Sequence, residues 1–309
     1  MWYKLYNLLK IKDKTMKKSL PTLNLILSMS IFGTVGIFVR EVGMPSGFVA
    51  MVRGFVGVAF ILVWMLAMRK RISFDAIKAN LLVLILSGAF IGINWIFLFE
   101  SYRFTTVATA TLCYYMAPVF LIIVAPIFLK ERITVLKAIC VAVSIVGMVF
   151  VSGVLDGGLP TGDDALGIIF GLLAAVFYTS VIVLNKKLRN IDAYTKTAVQ
   201  LLCAAIAVLP YVIFAEEITT EMFGVIPVIM LVLVGVIHTG FAYVLYFGSL
   251  ANVSAQSVSI YSYIDPILAV VLSALLLSEP MSLFGVIGAV LILASTLVAS
   301  LDFSALRKR

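Results

Sequence analysis

The stretch "GINWIFLFESYRFTTVATATLCYYMAPVFLIIVAPIFLKE" (92–131) lies over "GFAYVLYFGSLANVSAQSVSIYSYIDPILAVVLSALLLSE" (240–279) at a shift of 148 residues and without a gap. Gly92 meets Gly240, Phe99 meets Phe247, Tyr115 meets Tyr263, Pro118 meets Pro266 and Glu131 meets Glu279. Each copy is about twice the roughly 20 apolar residues that one membrane crossing needs. The duplication therefore concerns pairs of spans, and the rest of the chain has to complete two matching sets.

Apolar runs of that length do recur outward from it. They fall at 22–39, 46–68, 80–101, 105–128, 133–152, 165–184, 194–214, 224–248, 254–277 and 282–301. The 309 residues are 63% hydrophobic and 12% charged, with a mean hydropathy of +1.16. A soluble domain carries roughly 25% charged residues, so this surface faces lipid. Backbone groups in hydrocarbon must be satisfied within the segment, which makes the runs helices. A barrel is excluded because the runs lack alternation and are about twice too long. The sequence predicts an all-α polytopic membrane protein of ten transmembrane helices.

Loop charge then sets an orientation. Segments 1–21, 69–79, 129–138, 185–196, 249–253 and 302–309 hold 20 of the 23 Lys and Arg residues, leaving only Arg40, Arg53 and Arg103. The other loops carry Asp156, Asp163, Asp164, Glu216, Glu217 and Glu221. Basic loops stay cytoplasmic, so both termini are expected inside a cell-membrane protein. The net charge of +8 is thus spread over short tethers and does not form a nucleic-acid surface. Residues 1–20 do not form a signal peptide; they could lie on the membrane as an amphipathic helix, or Met16 could be the start. Cys113, Cys140 and Cys203 lie in apolar runs without Cys-x-x-Cys spacing and read as core residues.

Five spans per half is an odd number, so the second half must enter from the opposite side. The matched loops agree: "KER" (130–132) is basic, while "SEP" (278–280) is not. The expected organisation is a basic segment 1–21, a five-helix repeat 22–152, an extracytoplasmic linker 153–164, a second repeat 165–301 and a basic tail 302–309. Inverted repeats place a site near the bilayer midplane, between halves that rock about it.

The motif "SYRFTTVATATLCYYMAPVFLIIVAPIFLKERIT", its echo "SLANVSAQSVSIYSYIDPILAVVLSALLLSEPMS" and the opening "SIFGTVGIFVREV" resemble the EamA-type carriers of the drug/metabolite transporter superfamily. The resemblance covers residues 22–301. It implies two five-helix repeats and transport of a small metabolite; members move amino acids and related metabolites, often as exporters, and others move sugars or nucleotide-sugar-like solutes.

Polar residues inside the spans are the candidate site. Asp265 sits mid-span, where a carboxylate costs about 2.5–3.5 kcal/mol on insertion scales. Its repeat counterpart is Ala117, so the acid belongs to one half only, whereas Pro118 and Pro266 occur in both and read as architectural bends. His238, the sole histidine, lies 13 residues before Ala251, and Asp265 lies 14 after it. At 1.5 Å per residue that puts both at similar depth on an antiparallel pair, with direct or water-mediated contact as one expectation. The alternative is a histidine that simply bonds a backbone carbonyl. Ser257, Tyr261 and Asp265 form an i, i+4, i+8 stripe facing the bundle interior. Asn94, Trp95, Tyr114 and Tyr115 are expected to line the same space, offering aromatic walls for a small solute and cation–π contact for an ammonium. Arg53 could snorkel, pair with Asp265 or grip a substrate carboxylate. Glu131 and Glu279 read as helix-end residues. Gly88/Gly92 and Gly167/Gly171 permit close packing, mostly within the bundle; monomer and homodimer both stay open.

A secondary carrier working by alternating access fits these features, with an amino acid or amine exported and protons as candidate coupling ions at Asp265 or His238. No Gly-x-x-x-x-Gly-Lys-Ser/Thr loop is present, and no cofactor, metal or catalytic group is called for. The rival readings are a multi-span enzyme acting on lipid-linked substrates, which lacks the needed constellations, and a non-transporting sensor or scaffold.

Overall fold

The computed structural model describes residues 2–157, 159–160, 162–250, 252–279 and 281–301, and the side chains of all of these except 2–19, 255 and 256. The side chains of the basic amino-terminal segment up to residue 19, the tail 302–309 and Ala251, on which the depth count turned, lie outside the described residues.

Among the described residues every regular element is helical. Nine helices among the described residues are long and apolar enough to cross a membrane: Leu20–Val42, Ser46–Ala67, Phe74–Phe104, Val107–Phe128, Gly162–Asn185, Ala193–Ala215, Val225–Leu250, Ser257–Leu276 and Leu283–Ser300. Val135–Val151, at 17 residues, is shorter but equally apolar. These are spans 1–4, 6–10 and 5 of the two-repeat plan, numbered in chain order. Span 1 continues a helix that begins at Trp2 and passes through Pro21. Span 3 runs to 31 residues, longer than its apolar run, because the helix already starts at Phe74, where the Ser73 side chain accepts the Ala76 N–H.

The repeat is visible in the local chemistry of spans 4 and 9. Thr106 and its counterpart Ser254 each accept the amide N–H three residues on, at 3.1 and 3.2 Å, and so start their helices in the same way. Both helices also end alike. Lys130 and Ser278 take left-handed φ values of 57° and 55°, and Glu131 and Glu279 return their N–H groups to the carbonyls of Ala125 and Ser273.

Each of these spans is broken midway. Span 4 divides into Val107–Tyr114 and Ala117–Phe128, and span 9 into Ala255–Ser262 and Ile264–Leu276. The cause is Pro118 and Pro266: neither has an N–H for the carbonyl four residues back. Span 8 departs from α geometry in another way, winding as a π-helix over Val234–Phe241.

Small residues set the packing. Spans 5 and 10 meet where Gly147 and Gly288 lie against each other's carbonyl oxygens, beside a 2.7 Å bond between the Ser144 and Ser295 hydroxyls. Gly88 and Gly92 face span 7, and Gly167 and Gly171 face residues 101–113, so these motifs serve contacts within the bundle. Gly33 brings span 1 onto span 9 at its break, where a methyl group would come within 2.6 Å of the Asp265 carbonyl oxygen.

One face of the bundle gathers Asn80, which bonds the backbone of Arg189 twice, and the Lys186–Glu131 ion pair. The other gathers Arg40–Glu279, Ser282–Asp156 and the Glu216 contacts. They are called below the basic face and the acidic face.

Candidate functional site

The break in span 9 has a direct consequence. Pro266 leaves the Ser262 carbonyl without its helical donor. Tyr115, at the break in span 4 of the other half, donates from its hydroxyl to that oxygen at 3.2 Å and to Asp265 Oδ2 at 2.9 Å. The two interrupted helices are thus tied across the halves by one phenol, and Asp265 is held at the tie.

Around it stand tyrosines. Tyr114 lies edge-on to Tyr115 with centroids 6.2 Å apart and tilts against Tyr178 at 5.3 Å. Tyr243 and Tyr246 lie within electrostatic reach of Tyr178, as does Asp265. Tyr178 stands inside this aromatic group against Tyr114, yet 40% of its surface is open. Position and accessibility together mean that it walls an internal hollow. Tyr114, Tyr115, Tyr243, Tyr246 and Asp265 share this half-buried state.

A buried base occupies the same region. Arg53, only 5% exposed, lays its guanidinium 4.1 Å from the centre of the Trp95 ring and 5.3 Å from Phe99. Its Nε donates to Thr239 Oγ1 at 2.9 Å, and Thr239 donates onward to the Val234 carbonyl at 3.0 Å. The π turn explains that last bond. The side chain of residue i+5 is brought over carbonyl i, so Thr239 meets Val234 and His238 meets Leu233 (3.3 Å). Tyr102 and Tyr114 lie within electrostatic reach of both Arg53 and Asp265. Among the described residues no carboxylate lies within ion-pair distance of Arg53.

Several sequence expectations are redistributed. His238, 2% exposed, bonds Thr34 Oγ1 at 2.9 Å and packs against Phe38. It has no hydrogen bond to Asp265, so the direct pairing is corrected: position along a helix does not fix the direction a side chain faces, and the π turn directs the imidazole at span 1. Asn94 spends its amide on the Ala174 carbonyl at 2.6 Å and ties span 3 to span 6. Ser257 bonds Ser254 within the cap that starts span 9, as its counterpart Thr109 bonds Thr106, and so stands at the helix end. Tyr261 is half-buried on the first piece of span 9. Arg53 neither snorkels nor pairs with Asp265. Trp95, Tyr114 and Tyr115 are brought together with Arg53 and Asp265 as a group. The sequence reading missed Thr34, Thr239, Tyr178, Tyr243 and Tyr246. Tyr243 was findable as the repeat counterpart of Trp95; Tyr178 carries no such signal.

Two crevices approach this group. From the acidic face a cavity of about 250 Å³ ends on Phe99 and Tyr102, the residues that back Arg53. From the basic face one of about 220 Å³, rimmed by Glu131, Arg132 and Lys186, reaches Pro118 at the span 4 break.

At the acidic face Glu216 receives the N–H groups of Gly47 and Phe48 at 2.7 and 2.8 Å, capping span 2 from the end of span 7. Burial moves its carboxyl above the usual range, and the two amide donors only partly offset this.

Interrupted helices with polar groups held at the breaks are the features of a multi-span membrane transporter. The profile of the EamA-like transporter family matches residues 20–153 and 165–301, and the chain belongs to that family. It is 30% identical over 278 residues to "Uncharacterized transporter YxxF" of Bacillus subtilis (strain 168), covering 90% of this chain and 88% of the relative. An uncharacterized transporter of Archaeoglobus fulgidus is 28% identical over 276 residues, covering 89% and 94%. A crystal structure with 18% identity superposes with a TM-score of 0.63 over 91% of this chain and 97% of that one, a likeness of fold. The enzyme reading falls with these matches, since the family and the named relatives are transporters.

Proposed function

We propose that the protein is a secondary carrier that exports a small metabolite, an amino acid or amine, by alternating access at the hollow between its halves. The observation that carries this reading is an acid and a base, Asp265 and Arg53, set around one tyrosine-lined space without being paired to each other. Arg53 would take a carboxylate in a planar, two-point contact, and Asp265 an ammonium group assisted by the aromatic faces. The solute supplies what each charge lacks, which favours a dipolar amino acid over a simple amine.

The halves 22–152 and 165–301, joined by 153–164, are the moving parts, with the basic face and both termini in the cytoplasm. Loading from that side suits the crevice that reaches Pro118. Protons are the coupling ion of this reading. Asp265 is the group of the hollow that would carry the exchanged proton, and protonating it would leave the Tyr115 hydroxyl hydrogen, otherwise shared between two acceptors, to the Ser262 carbonyl alone. Loading a cation at Asp265 would then displace that proton.

The test is Asp265→Asn in proteoliposomes, screened against a panel of amino acids and amines. Insertion and thermal stability are expected to persist, while solute-dependent stabilisation and proton-linked flux are lost. Full flux with unchanged pH dependence in that variant would refute the site.

A further inference from the structure

The repeat-matched glutamates at the ends of spans 4 and 9 are in different states. Glu279 is nearly enclosed, with 12% of its side chain exposed. It pairs with Arg40 at the end of span 1, accepts the Val107 N–H at the start of span 4 (3.1 Å), and accepts the Ser273 hydroxyl at 2.6 Å. Arg40 and Val107 belong to the first half and Glu279 to the second, so these bonds clamp the halves together at the acidic face. Arg40 also lines the crevice that ends on Tyr102.

Glu131 occupies the equivalent place at the basic face, on the same helix-ending turn. Its partner is Lys186, at the end of span 6. The pairing again crosses the halves, and Lys186 stands within two residues of the position that matches Arg40. This pair is formed at 2.8 Å but lies in the open: each side chain is 46% exposed, against 12% for Glu279. Beside the crevice that reaches Pro118, it leaves the basic face the more open of the two.

We infer that Glu279 and Glu131 are two alternating latches, one for each face, and that this structure has the acidic-face latch shut and the basic-face latch open. This rests on the alternating-access reading above. In the opposite state Glu131 moves onto the start of span 9, at the Ala255 N–H that matches Val107, while Glu279 releases Arg40 and span 4. A charge placed on a helix N-terminus and a base at once is held by charge-assisted bonds, and closing one latch opens the other because the halves move as units. Ser273, whose counterpart is Ala125, gives the acidic-face latch an extra bond and biases the resting state toward that closure.

The experiment is cysteine accessibility in membrane vesicles of both orientations, read with a membrane-impermeant maleimide. Val39→Cys reports the acidic-face crevice and Leu121→Cys the basic-face crevice. The chain without either probe supplies the blank for Cys113, Cys140 and Cys203. Glu279→Gln is expected to raise labelling at position 39 at least ~5-fold and lower it at 121 by a similar factor, a reciprocal population shift. Glu131→Gln should move both rates the other way. Arg40→Gln, which leaves the glutamate in place, repeats the Glu279→Gln pattern more weakly and stands in if that variant fails to insert. A rise at position 39 with no fall at 121 marks a local brace and overturns the proposal, as does no change at either probe. Reciprocal labelling in a protein that moves no solute would leave the latches standing and remove the transport reading.

Discussion

Replacing Tyr115 with Phe removes one oxygen and strands two acceptors, Asp265 Oδ2 and the Ser262 carbonyl freed by Pro266. A hydrogen bond to a charged group contributes about 1.5–3 kcal/mol net. Water in the hollow can reach both acceptors and recover part of the loss, so the lower end applies. The interaction is isolated by a double-mutant cycle of Tyr115→Phe, Asp265→Ala and the double variant. SDS-driven unfolding from mixed micelles, followed by tryptophan fluorescence, measures each stability. The expected coupling is about 1.5 kcal/mol, with the double variant more stable than the sum of the single losses implies. Asp265→Ala by itself has a small or stabilising effect, because it removes a costly mid-membrane carboxylate. A coupling within about 0.5 kcal/mol of zero would show that the phenol and the acid do not hold each other, and the tie between the broken helices would have to be abandoned.

Other outcomes follow from the same geometry. Arg53→Lys keeps the charge but loses the planar stacking on Trp95 and the Nε–Thr239 bond, so affinity for a solute with a carboxylate should fall about tenfold or more in a binding titration, while an amine without a carboxylate is unaffected. Gly33→Ala forces a methyl group against the Asp265 carbonyl and the Leu268 side chain; a loss of about 1–3 kcal/mol in the same unfolding assay is expected, with flux reduced. Glu216 has its pKa raised by burial, so ionising it costs stability, and the stability present below its unfolded pKa is lost as pH rises through the folded value. Thermal melts against Glu216→Gln should therefore show the parent gaining on the variant as pH falls through the region at and above the ordinary glutamate range; parallel curves would contradict the burial argument.

Much of the architecture can be read from the chain because hydrocarbon leaves the backbone few choices. Span count follows from the apolar runs, the duplication from a gapless 148-residue match, and the breaks from Pro118 and Pro266, each of which deletes a helical donor. Asp265 could be singled out because its counterpart is Ala117, so no shared fold requirement accounts for it. The partners of these groups were not legible. Depth along a helix follows from a fixed rise per residue, but the direction a side chain faces depends on crossing angles and on any change in winding. The π turn at Val234–Phe241 is such a change: it sends His238 to Thr34 and Thr239 to Arg53. The meeting of Tyr115 with Asp265 depends likewise on two broken helices crossing from opposite halves. The sequence by itself determined the membrane-length apolar helices and the polar residues set within them, because hydropathy and helical rise are local properties. Only the tertiary structure decided which of them face one another, because azimuth is set by the packing of helices remote in the chain.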